Sequence, residues 1–140
     1  MKKIFLTCFC ILFVFLSFGF GQHFIGKTVE EIKTLMQQSE KGLSFTKEVN
    51  TDEYHYLKFE NDDNTKTRLF ILSDEGVCVY TRLMCDYSLL KGIIDSLNEN
   101  YQYRKDQTWI DYASDEEHNY LIELKKRDWF FTIKTSRIKR

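Results

Sequence analysis

The sequence predicts an α+β fold in which two helices pack on one face of an antiparallel sheet. Three observations support this fold. Apolar residues recur at helical spacing in two segments, and each of these segments is followed by four short stretches in which apolar residues alternate. The connections between the stretches are short and polar, which makes neighbouring strands antiparallel. The chain has 140 residues, the length of one domain with a leader.

Residues 1–21 have the features of a cleaved signal peptide. Two lysines precede an uncharged apolar run over 4–18, and Gly19 and Gly21 stand at the −3 and −1 positions of a cleavage before Gln22. The run is shorter than the ~20 apolar residues that a membrane span needs, and a retained anchor is the alternative. We therefore expect an exported protein, periplasmic or extracellular, that is soluble and has no stable membrane insertion after cleavage.

The remaining chain, 22–140, is expected to form a single α+β domain that opens with a helix over 29–39. Thr28 and Glu31 have the spacing of a capping box, in which each side chain accepts a hydrogen bond from the backbone N–H of the other residue. Gly42 is a plausible stop signal. The predicted apolar stripe of this helix consists of Val29, Ile32, Leu35 and Met36.

A second helix is predicted after Asp86 or Ser88, because either side chain can cap it. It ends near 98–100. Its predicted stripe consists of Leu89, Leu90, Ile93, Ile94 and Leu97.

Eight strands account for the rest of the domain, four after each helix. Clusters of Asn, Asp, Ser and Gly mark several of the turns between them. The predicted strands begin with a segment around 43–49 and continue with 54–59, 66–72, 77–84, 101–105, 108–113, 118–125 and 129–135.

The order of one helix and four strands occurs twice, in 22–85 and in 86–135, which suggests an internal duplication. The alternative is an unduplicated α+β chain with the same rhythm, since residue identity between the halves is negligible. The order resembles the helix-plus-antiparallel-sheet units of β-lactamase-inhibitor-like and PepSY-like exported modules. This resemblance implies a fold of that kind and transfers no functional residue.

Two cysteines, Cys78 and Cys85, follow the leader. If both lie on one extended strand, seven residues separate them by roughly 20 Å, whereas a disulfide needs Cα atoms within about 7 Å. We expect buried free thiols. A bridge between chains and a reactive Cys85 near a helix N-terminus are the alternatives.

No motif in the sequence predicts catalysis, a metal or a cofactor. There is no glycine-rich phosphate loop, no G-x-S-x-G, no H-E-x-x-H and no pair of histidines at ligand spacing. Asp111 and the acids at 115–117 are expected to be a solvated loop rather than a catalytic pair, which needs two differently buried carboxylates across a cleft. The formal charge of −1 argues against nucleic acid as a partner.

The alternation divides the predicted sheet into two faces, because side chains two apart on a strand point the same way. The predicted core face consists of Leu57, Phe59, Leu69, Ile71, Val77, Val79, Ile122, Leu124, Phe131 and Ile133. An open antiparallel face is normally polar, yet here it would carry aromatic residues among Arg and Lys. The predicted partner-binding residues are Tyr54, Tyr56, Arg68, Phe70, Tyr80, Arg82 and Phe130.

Tyr and Arg are enriched where proteins bind one another. The sequence therefore predicts a non-enzymatic binding module that engages a protein or peptide through the open face, as an inhibitor or a chaperone-like accessory. The alternative is a structural or self-associating envelope protein that uses this face as a homodimer interface, and a small hydrolase comes third. Cross-strand aromatic packing without any partner is the structural interpretation of the same residues.

Overall fold

The structure, a computed structural model, describes residues 20–139 and confirms the α+β fold. Within this range, two α-helices accompany one antiparallel sheet of eight strands. The helices are α1, Val29–Ser39, and α2, Leu90–Asn100. The strands are β1, Ser44–Asn50; β2, His55–Glu60; β3, Lys66–Leu72; β4, Cys78–Cys85; β5, Gln102–Tyr103; β6, Thr108–Asp111; β7, Tyr120–Lys126; and β8, Phe131–Arg137.

The sheet has the strand order β1-β2-β3-β4-β8-β7-β6-β5. Each group of four strands is therefore a meander, and the two meanders join where β4 pairs with β8, with Arg82 opposite Lys134. The element order is one helix and four strands, twice. The internal duplication itself stays a prediction.

Local signals define the start of each helix. The backbone N–H of Thr28 donates to Glu31 Oε2 at 2.8 Å, and the N–H of Glu31 donates to Thr28 Oγ1 at 3.4 Å, so the predicted capping box is present. Asp86 Oδ1 accepts from the N–H of Ser88 at 2.8 Å and caps a short 3-10 turn, Tyr87–Leu89, that leads into α2.

Both helices lie on the same face of the sheet, each over its own apolar cluster. The cluster beneath α1 includes Phe24, Ile32, Met36, Leu57, Phe59 and Phe70. The cluster beneath α2 includes Phe20, Leu83, Leu97, Trp109, Ile122, Phe131 and Ile133.

The predicted orientation of β3 is wrong. Arg68 and Phe70 point towards the helices and are 4% and 0% exposed, while Leu69 and Ile71 point to the opposite face. The register explains the reversal, because Phe70 lies opposite the buried Leu57 of β2 and directly opposite residues share a face.

The predicted core positions on β4 are also wrong. Val79 is 47% exposed because the register shifts between Ile71 and Leu72, leaving Val79 unmatched as a bulge. Val77 precedes the strand and forms an isolated bridge with Thr28.

The predicted leader lies outside the described residues except for its last two, Phe20 and Gly21, both of which are buried. They start a segment that crosses the helix-bearing side of the sheet and continues through a 3-10 turn, Gln22–Phe24. Phe20 joins the cluster beneath α2 and Phe24 joins the cluster beneath α1, so this segment links the two halves of the core. Within 20–139, no helix has the length and apolar character needed to cross a bilayer.

Candidate functional site

The helix-free face of the sheet carries a row of large side chains along one line of cross-strand partners. Tyr56 lies opposite Ile71, and Ile71 lies opposite Tyr80. We call Tyr56, Ile71 and Tyr80 the aromatic row. The line continues to Ser136 and then to Leu121 in the second meander. The three side chains of the row are half-buried, so the row presents an apolar surface from which water is only partly excluded.

Two cations lie beside the row. The Lys134 ammonium is 4.6 Å from the centre of the Tyr80 ring, and the Arg82 guanidinium is 5.8 Å from it. Such contacts hold a cation against a ring by about 0.5–1 kcal/mol at exposed sites. Among residues 20–139, neither Arg82 nor Lys134 makes a salt bridge.

The other charges on this face leave a positive excess. Glu60 is paired with Lys58 at 2.7 Å, and Glu123 lies opposite Lys134 in the β7–β8 register. Arg82 lies opposite Leu69 on one side and Lys134 on the other. The exposed Lys125 lies opposite Thr132. Neither cation therefore has an acidic residue directly opposite it. Of the two cations beside the aromatic row, Arg82 therefore has no acidic residue opposite it, whereas Lys134 lies opposite Glu123.

The structure brings together three of the seven predicted binding residues, Tyr56, Tyr80 and Arg82. Tyr54 precedes β2 and is 63% exposed, and Phe130 precedes β8 in the turn from β7. Arg68 and Phe70 are buried on the helix-bearing face instead.

Ile71 and Lys134 belong to this surface but are not among the seven residues predicted to bind a partner. Ile71 is missed because β3 is apolar from Leu69 to Leu72, so alternation does not orient it. Lys134 is missed because β4 and β8 are far apart in sequence, and their pairing leaves no local signal.

Arg68 lies instead at a cleft between α1 and α2, where it is neutralised by the fold. Its Nε donates to Glu40 Oε2 at 3.1 Å, and its Nη2 lies 3.0 Å from Glu40 Oε1. The cleft measures about 630 Å³ and is lined by Phe20, Leu83 and Ile93 together with this ion pair. The pair balances the charge of Arg68, while Arg68 Nη1 is buried and has no hydrogen-bond partner among the described residues.

Burial makes both cysteine thiols unreactive at neutral pH. Cys78 and Cys85 are both buried on β4, and both are free thiols in the part of the chain that the structure describes. Burial raises the pKa of Cys78 to about 12 and that of Cys85 to about 11. Since the thiolate is the reactive form, neither cysteine is a nucleophile at neutral pH.

The acids of the β6–β7 loop organise the backbone. Asp115 accepts hydrogen bonds from the N–H of Glu117 at 2.8 Å, the hydroxyl of Tyr120 at 2.8 Å and the ring of His118 at 3.1 Å. These bonds, with the Glu117 N–H as the largest contribution, lower the pKa of Asp115 to about 2. The Asp115 carboxylate therefore stabilises the conformation of this loop.

Asp111 differs from the expected solvated acid, because it is 2% exposed. Its carboxylate accepts from the Gln22 side-chain amide at 3.0 Å and from the N–H groups of Ala113 and Ser114. Across residues 20–139, no group of three or more His, Cys, Asp or Glu is arranged to hold a metal ion.

No protein-family model, curated protein or solved structure matches this chain in the comparisons made.

Proposed function

We propose that this protein is an exported, non-enzymatic binding module that engages a protein partner through the helix-free face of its sheet. The observation that supports this proposal is the aromatic row of Tyr56, Ile71 and Tyr80 beside Arg82 and Lys134, two cations that make no salt bridge within residues 20–139. Tyr and Arg are the residue types that most often dominate binding energy at protein interfaces. Export rests on the composition of the leader at 1–21.

The charges favour a partner that presents acidic groups around an apolar patch. Such a partner would pair with Arg82 and Lys134 while covering the aromatic row, and the complementarity would favour specific association. A second copy of this chain is a poorer fit. In a symmetric dimer the same patch meets itself, and because Arg82 and Lys134 lie on the two central strands, a two-fold axis there brings like charges together.

Binding by matched variants tests the proposal. The wild-type protein serves as bait in a pull-down from the envelope fraction, and the affinity of each identified partner is then measured by calorimetry. We expect Tyr80→Ala and Arg82→Ala each to weaken binding about 30-fold or more, the loss expected of hot-spot residues. The thermal midpoint should fall by only about 4 °C, the cost expected of truncating a half-buried side chain on this face.

Tyr112→Ala is the matched control, since Tyr112 is 46% exposed and lies after β6, away from the row. Equal affinities for wild type, Tyr80→Ala and Arg82→Ala would refute the proposed surface. A sedimentation mass that rises with protein concentration in the wild type but not in Tyr80→Ala would show that this face binds a second copy of the chain and not a foreign partner.

A further inference from the structure

The two residues that end the predicted leader are built into the folded domain. The carbonyl oxygen of Phe20 accepts hydrogen bonds from the Thr81 hydroxyl at 3.2 Å and from the Thr135 hydroxyl at 2.7 Å. Both threonines are 0% exposed. Removing this carbonyl would leave two buried hydroxyls without their acceptor, and buried polar groups are nearly always hydrogen-bonded.

The side chain of Phe20 contributes to the core as well. It is 8% exposed, belongs to the cluster beneath α2 and meets the Tyr101 ring edge-on, with the ring centres 6.0 Å apart. Edge-to-face contacts of this kind are favourable beyond the area that they bury. Loss of Phe20 would open a hole in the cluster next to the cleft that it lines.

Gly21 meets two separate requirements of this location. Its φ of +99° lies in the left-handed region that favours glycine. A Cβ at this position would also lie 2.2 Å from Thr81 Oγ1. A residue that is discarded with a leader has no reason to fit the interior of the mature domain so closely.

We propose that the leader is cut between Gly19 and Phe20, so that the mature chain begins at Phe20. The sequence supplies this site, because Ser17 and Gly19 are small residues at −3 and −1, as Gly19 and Gly21 are for a cut before Gln22. The proposal rests on the proposed export. Hydrolysis adds one water across the Gly19–Phe20 peptide bond, leaving a carboxylate on Gly19 and an amino group on Phe20.

The direct test is the N-terminus of the exported protein. The full chain with its own leader is produced in a secreting host, and the purified product is analysed by N-terminal sequencing and intact mass. We expect Phe20 as the first residue. Gln22 as the first residue would overturn the cleavage position alone and leave export standing. An uncut leader on protein retained in the cell would overturn both the cleavage position and the proposed export.

A second test uses Gly21→Ala in the same full chain. If Gly21 is retained, the alanine meets Thr81 and the thermal midpoint of the secreted protein falls by about 5 °C or more, or the protein fails to accumulate. If the cut lies before Gln22, the alanine leaves with the leader and the mature protein is unchanged, which would refute the proposal. Gly42→Ala is the matched control, since a Cβ there meets nothing within 4 Å.

Discussion

The orientation of β3 can be tested by truncating two neighbouring residues, Phe70 and Leu69. Phe70 is 0% exposed, and its ring centre is 4.8 Å from that of Phe24 and 5.6 Å from that of Phe59. Deleting such a side chain costs the lost transfer free energy and the cavity left behind, so Phe70→Ala should lower the free energy of unfolding by about 3–5 kcal/mol. Leu69 is half-buried on the helix-free face, and Leu69→Ala should cost about 1 kcal/mol.

Urea unfolding followed by fluorescence, with thermal unfolding as a second probe, measures both costs. A domain of this size has about 5–15 kcal/mol of stability, and each kcal/mol corresponds to about 4 °C in the thermal midpoint. We therefore expect a fall of about 12–20 °C for Phe70→Ala and about 4 °C for Leu69→Ala. Should Phe70→Ala not fold, Phe70→Leu removes fewer atoms and keeps the comparison measurable.

The ranking of the two variants decides the outcome. A larger loss for Leu69→Ala than for Phe70→Ala would mean that β3 is turned over. Arg68 and Phe70 would then lie on the helix-free face, Ile71 would leave the aromatic row, and the proposed binding surface would have to be redrawn. Equal losses would mean that neither face of β3 is the core face, which contradicts the two-layer fold.

Three further predictions follow from local features. Thr28→Ala removes the cap of α1 and should cost about 1 kcal/mol in urea unfolding, whereas no change would show that the capping box does not stabilise the helix. The lowered pKa of Asp115, about 2, means that its contribution to stability is present above the ordinary value of about 3.9 and is lost as the pH falls towards 2. Asp115→Asn should therefore flatten the pH dependence of stability in that interval, and an unchanged slope would contradict this role. Cys78 and Cys85 should resist a thiol reagent at pH 8 in the native protein and react fully after unfolding, while rapid native reaction would show that they are accessible.

The helices could be predicted from sequence because their signals are local. The capping residues Thr28 and Glu31 are three positions apart, and the apolar stripe that follows repeats every turn. The predicted bounds of α1 agree with the structure, Val29–Ser39. Strand locations could be predicted for the same reason, because alternation and turn residues are properties of short windows.

The orientation of β3 could not be predicted, because it depends on partners that are remote in sequence. Arginine is usually found on protein surfaces, yet Arg68 is buried. Its burial is possible because it pairs with Glu40, which is 28 positions away in the sequence. Leu69 and Ile71 are as apolar as Phe70, so the pattern within β3 does not choose between the faces. The register with β2 makes the choice by setting Phe70 opposite Leu57. Tyr80 and Arg82 were placed correctly because β4 alternates clearly after its bulge.

Charged groups have partners within the fold on the helix-bearing face, whereas Arg82 on the helix-free face has none opposite it. This difference favours the helix-free face as the binding surface. On the helix-bearing face, the buried Arg68 is held by two contacts to Glu40, and the buried Asp111 accepts three hydrogen bonds. Such groups must be satisfied internally, because burying them otherwise costs several kcal/mol.

On the helix-free face, Arg82 lies beside exposed apolar surface with no acid opposite it. An open antiparallel face is normally polar, so a row of large apolar side chains beside an unopposed cation is an unusual feature of this face. A partner with acidic and apolar groups would use both features at once. Charge reversal at Arg82→Glu, set against the truncation Arg82→Ala, separates attraction from packing: the reversal should weaken binding further, and it should do so most at low salt.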